Sequence, residues 1–323
     1  MMNSTRPLLD LVLFCVTFSI SLLVNAHADA PITAIAIAPD GKQVLIGSQR
    51  GIEIRTWPEL IAVNMLPSKL SHIHDLRFSP SGQQLLVAGG APAESGEIEV
   101  WSWPGVKELS RAADHSDVVY RVAWSPDGTR WASCGGDSRC FVYSEKSEKR
   151  TQYDGHSQPV CSIRWLDDRT LASVGVDQTV RLWNAETGEH LRTLDNHVGS
   201  VNDLAMRPAI VDSDAGSMKD ILATVSEDRT VRLWQPRVGR LVRFTRLTSV
   251  PRAVVWSADA ERLIIGCNDG KVLILDWESM ELVEEADGLV GRIHELVLDP
   301  ASKFLLVAGE RGFRYIEANF ESN

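Results

Sequence analysis

The sequence predicts an all-β fold assembled from seven copies of one small antiparallel sheet. Three observations lead there: a turn that returns at a near-constant interval, short β-branched runs between the turns, and a heptapeptide written twice, as DQTVRLW from Asp177 and DRTVRLW from Asp228. A period of about forty residues is the mark of arrays whose single units cannot bury their own apolar faces.

The turns close seven hydrophobic runs: AIAIAPDG from Ala34, DLRFSPSG from Asp75, RVAWSPDG from Arg121, SIRWLDDR from Ser162, DLAMRPAI from Asp203, AVVWSADA from Ala253 and ELVLDPAS from Glu295. Measured at the Pro position, from Pro39 to Pro300, the steps are 41, 46, 41, 41, 50 and 42 residues. Each unit continues with a second run such as RTLASVG, a third such as TVRLWN and a fourth such as EHLRTL. Short alternating segments bounded by Gly, Asp, Asn and Pro read as antiparallel strands. Four strands, seven times over, resemble the WD40-repeat β-propeller family, which implies a seven-bladed WD40 β-propeller over residues 29–323. Its blades start near residues 31, 72, 115, 156, 197, 248 and 289.

The resemblance also implies a buried hydrogen-bonded tetrad in each full repeat. The fourth unit supplies His156, Ser173, Asp177 and Trp183, and the fifth His197, Thr224, Asp228 and Trp234. The third has His115, Ser133 and Asp137, with Tyr143 in place of Trp. The repeated heptapeptide is then the same turn and third strand of adjacent blades. A hydrolase reading of Ser173, His156 and Asp177 is disfavoured, because one active site does not need the same residues blade after blade. The first, second, sixth and seventh units lack the His, with Lys69, Leu247 and Leu289 at its place in the last three, and are expected to rely on apolar packing. The final unit holds three runs and a short tail, so the last blade is expected to fall short of a full outer strand.

Two insertions account for the long steps. AGGAPAESGE (Ala88 to Glu97) lengthens the turn between the second and third strands of blade two. AIVDSDAGSMKD (Ala209 to Asp220) lengthens the loop after the first strand of blade five. Its DSDAG lacks the third acidic position and the closing Glu of a calcium loop.

Of the 323 residues, 44% are hydrophobic and 24% charged, as in a globule with a real core. A formal net charge of -10 speaks against non-specific nucleic-acid binding, which depends on neutralising phosphates. Residues 1–28 read as a signal peptide: Arg6, an apolar run LVLFCVTFSISLLV from Leu11, then Ala26-His27-Ala28. The expectation is an exported protein, periplasmic or secreted and of bacterial type, with no integral membrane span after cleavage. An oxidising location permits disulfides, and Cys134 with Cys140, flanking a tight turn, is the candidate pair. No C-x-x-C exists, so a structural zinc site has no support, and no cofactor or metal is expected.

The innermost strands begin around the mouth of a central channel. In WD40 proteins the residues flanking the first apolar position of that strand commonly contact partners. Carried over, these are Thr33, His72, His74, Val118, Tyr120, Cys161, Ser200, Asn202, Arg252, Arg292 and His294. His72, His74, Tyr120, Asn202, Arg252, Arg292 and His294 are the candidate partner-binding residues, because Arg pairs bidentately with carboxylates and Tyr offers rigid contact area. The function expected is a non-catalytic interaction scaffold for a protein or peptide partner, not an enzyme and not a nucleic-acid binder. The alternative is a channel-mouth enzyme, or a small-ligand or metal-binding propeller of the cell envelope, using His72, His74 and His294.

Overall fold

β-Branched and apolar residues alternate through the chain, and in the computed structural model, which describes residues 30–144, 147–209 and 220–317, they form 27 strands. The strands make seven antiparallel sheets, each ordered along the chain from the inside outward. The innermost strands are Ile32–Ile37, Ile73–Phe78, Val119–Trp124, Val160–Trp165, Val201–Met206, Pro251–Trp256 and Ile293–Leu298. Six sheets have four strands. Among the described residues the last has three, Ile293–Leu298, Phe304–Gly309 and Gly312–Glu317.

Each strand sends alternate side chains to opposite faces of its sheet. Both faces are apolar here, and each must be covered by a neighbouring blade. The buried apolar residues accordingly fall into seven layers, one at every junction between adjacent blades. The layer that joins last to first contains Ile32, Ile35 and Trp57 on one side and Leu306, Ala308 and Phe313 on the other. Trp57 meets Phe304 and Tyr315 edge-on at 5.6 and 5.3 Å. The ring is closed, with seven blades.

Polar ties cross the same junctions near the axis. The Asp75 carboxylate accepts from the Val122 N–H of the next blade at 2.9 Å, and Asp203 accepts from Val254 N–H at 3.1 Å. Glu295 accepts from Ile35 N–H at 3.0 Å, which joins blade seven to blade one. Arg77 donates to Glu295 at 2.6 Å and also pairs with Asp75. Burial raises the Glu295 pKa, and the facing guanidiniums of Arg77 and Arg121 oppose that rise. On the other side of the strands, the indoles of Trp124, Trp165 and Trp256 donate to Arg77, Ala123 and Ala205 carbonyls of the preceding blade.

Two expectations need correcting. Cys134 and Cys140 are direct cross-strand partners, yet both are free thiols. Their side chains belong to the apolar layer between blades three and four, and burial pushes both thiols well up. Blade two does not rest on apolar packing alone. Its fully buried Glu99 accepts from Lys69 N–H at 3.1 Å and from Trp101 Nε1 at 2.9 Å, and pairs with Arg111 at 2.5 Å. The first insertion forms a hairpin, with Ala93 at φ 59° and its N–H on Asp117 Oδ1 at 2.8 Å. The signal-peptide reading of 1–28 and the DSDAG stretch lie outside the described residues.

Breaking a buried hydrogen-bonded ion pair costs about 3–5 kcal/mol because it strands the remaining charge. Glu295→Ala is expected to lower urea-unfolding stability by about that much, whereas Glu317→Ala should leave it unchanged.

Candidate binding site at the channel mouth

The inner strands start together at one end of the ring, so their first residues converge. They line a cavity of about 480 Å³ to which all seven blades contribute. Of the positions expected there, Thr33, His74, Tyr120, Cys161, Ser200, Asn202, Arg252, Arg292 and His294 line it. His72 and Val118 do not. His72 sits just before its strand with Nδ1 near Ser71 Oγ at 3.3 Å, and Val118 is buried beneath the turn.

Three residues at the cavity region were missed by sequence reasoning. Arg121 lies deeper, its side chain 12% exposed against 44% for Arg292. Its carboxylate neighbours Asp75 and Glu295 stand at 3.7 Å, and its one hydrogen bond among the described residues runs to the His294 carbonyl at 3.3 Å. Glu227 lines the cavity and pairs with Arg252 Nη1 at 2.5 Å. Asn268 Oδ1 accepts from Arg252 Nε at 3.2 Å and from Arg292 Nε at 3.0 Å. Glu227 and Asn268 stand one residue before the turn aspartates Asp228 and Asp269, as Val176 stands before Asp177, and that register is the signal that could have found them.

The histidines of the walls are neutral at pH 7. Burial, helped by Arg121, pulls His74 down to about 4, and burial with Arg292 does the same to His294. His74 packs edge-on against Tyr120 at 5.7 Å. Burial pushes the Cys161 thiol up to about 12, so at pH 7 it is not a thiolate nucleophile. Among the described residues no group of three or more His, Cys, Asp or Glu side chains is arranged to hold a metal ion.

The tetrad residues come together away from the cavity. His156 Nδ1 is 3.0 Å from Asp177 and Nε2 is 2.8 Å from Ser173 Oγ, to which Trp183 Nε1 donates at 3.3 Å. In the next blade the corresponding distances are 2.9 Å to Asp228, 2.8 Å to Thr224 and 2.9 Å from Trp234. Burial lowers the His197 pKa, so its imidazole is neutral: Nδ1–H donates to the carboxylate and the Thr224 hydroxyl donates to Nε2. Burial opposes ionisation of Asp228, but bonds from Thr230, His197 and Val198 N–H hold its carboxyl well below the usual range. His115 bonds Asp137 at 2.9 Å and Ser133 at 2.8 Å, while Tyr143 stacks on Trp131 at 3.9 Å. Ser173 has no exposed surface, which leaves a substrate no path to it.

The family model "WD domain, G-beta repeat" matches residues 107–144, 147–184 and 188–235. These three stretches are WD40 repeats. Each runs from the outer strand of one blade through the first three strands of the next, and each ends in the third strand of a blade with a His–Asp pair. Among curated proteins the chain is similar to THO complex subunit 3 of Arabidopsis thaliana, 33% identical over 136 residues, which is 41% of each chain. It is also similar to the protein HIR1 of Gibberella zeae, 26% identical over 52% of this chain and 18% of that one. A third relative is HIR1 of Yarrowia lipolytica, 26% identical over 62% of this chain and 18% of the relative. The chain thus spans less than half the length of these relatives.

Those relatives correct one expectation. They are a complex subunit of a plant and HIR1 proteins of fungi, so the exported, periplasmic or secreted location and the bacterial-type assignment do not stand. Among the described residues no helix is long and apolar enough to cross a membrane.

The buried histidines make stability depend on pH. Above the ordinary 6.5, folded and unfolded chains both hold His74 and His294 neutral. Below it the unfolded chain takes protons that the folded one refuses until about 4, so stability is lost across that window. The unfolding free energy should be lower at pH 4.5 than at pH 7 by up to about five kcal/mol, and the His74→Gln/His294→Gln double variant should show a flatter slope.

Proposed function

We propose that the propeller, over residues 29–323, is a non-catalytic scaffold that grips an acidic peptide or protein segment at the channel mouth. One observation carries the reading. Arg252 and Arg292 meet on one side of a cavity with Arg121 beneath them, in a chain of formal net charge -10. Guanidinium forks pair with carboxylates in two parallel hydrogen bonds, and arginine and tyrosine are the commonest anchors of protein interfaces. THO complex subunit 3 is by its name a member of an assembly, which supports a protein partner for this chain too.

The test is the double variant Arg252→Ala/Arg292→Ala. It is expected to lose at least about tenfold in affinity for an immobilised acidic peptide, as truncating anchor residues does, with unchanged melting. Undiminished binding would count against the mouth as the gripping surface.

A further inference from the structure

We propose that Asn268 positions the anion receptor of this mouth, and that the group received is a single carboxylate. The proposal deepens the acidic-segment reading and rests on it. Asn268 is an exposed residue that follows the second strand of blade six, Arg262–Cys267. Its side-chain oxygen holds the Nε atoms of Arg252 and Arg292, which come from adjacent blades. Two guanidiniums repel each other, and a shared neutral acceptor fixes them side by side without cancelling their charge.

The partners of each arginine then decide what is left for a ligand. Arg252 Nη1 is taken by Glu227 at 2.5 Å. Arg292 has Glu310 at 3.8 Å, beyond hydrogen-bond reach, and its Nη atoms bond to nothing among the described residues. With both Nε atoms turned toward Asn268, the open edge is the Nη fork of Arg292 with the remaining nitrogen of Arg252 beside it. Around that edge stand two cations, with Glu227 bonded to Arg252 and Glu310 at 3.8 Å from Arg292. A carboxylate matches the open Nη fork in geometry. A doubly charged phosphate would stand against the Glu227 carboxylate. The neutral His74 and His294 add no further positive charge at pH 7.

The test uses the full chain and a fluorescent, amidated polyglutamate peptide, followed by anisotropy at low and physiological salt. Asn268→Asp places a carboxylate where the neutral oxygen stood and should weaken binding by about tenfold or more. Asn268→Ala, which loses the positioning but adds no charge, should weaken it by about threefold. Neither should change the melting temperature. If Asn268→Asp binds like the parent while Arg252→Ala/Arg292→Ala does not, the positioning role is wrong and the mouth remains the site. Tighter binding of a phosphoserine peptide of the same length would overturn the carboxylate assignment. If the parent protein binds neither peptide, the acidic-segment reading itself fails.

Discussion

Each sheet in this protein is apolar on both faces, and no blade can be stable without a neighbour on either side. A ring is the arrangement that covers all fourteen faces, and it has one seam with no covalent help. Consecutive blades are joined by the chain itself, whereas among the described residues blades one and seven meet only through side chains. That junction carries an aromatic contact, Trp57 against Phe304 and Tyr315, and a buried carboxylate on a backbone N–H of the first strand. Among the described residues the seam is held by Glu295 near the axis and by the first two strands of each blade, with Trp57, Phe313 and Tyr315 packing further out.

The carboxylate ties follow from the geometry of a narrow channel. Seven inner strands converge, and their third residues, among them Asp75, Asp203 and Glu295, point inward where water is scarce. A polar group there needs a partner, and the nearest unpaired donor is the N–H of the adjoining blade. Arg77, Arg121 and Arg164 then supply compensating charge, with Arg164 at 3.8 Å from Asp203. These acids and arginines form a balanced network inside the channel, and the mouth cavity has Arg121 in its lining.

The period, the strand alternation and the tetrad residues were legible because they are local and repeated. Asp177 and Asp228 can be recognised by comparing one unit with the next. Glu99 and Asn268 could not be, since each acts once and on a neighbour set by tertiary packing; Glu295 shares its strand position with Asp75 and Asp203, but the N–H it reaches is likewise set by packing. Glu99 sits in a strand that reads EIEVWSW, where alternation alone gives no hint that an acid is the buried residue. Cys134 and Cys140 were rightly seen as facing each other, but facing is not bonding, and both thiols serve the apolar layer. The residues of the mouth were read from their place at the strand starts. Glu227 and Asn268 lie before the turn aspartates, outside the innermost strands, so a reading of the mouth from strand starts does not reach them.

A positive mouth on an acidic protein constrains how it can select. At physiological salt, charges more than about 8 Å apart are largely screened. The overall charge of -10 therefore neither repels an acidic segment strongly at a distance nor guides it in. On the proposed reading, what such a segment meets is the local field of Arg252 and Arg292, focused by the walls of the cavity. Recognition of this kind is short in range and sensitive to geometry, and a neutral amide between two guanidiniums matters more than one further surface charge. The same reasoning accounts for the histidines. An imidazolium would add charge without a fixed direction, whereas His74 and His294, kept neutral by burial, leave the forks of the arginines to decide what fits.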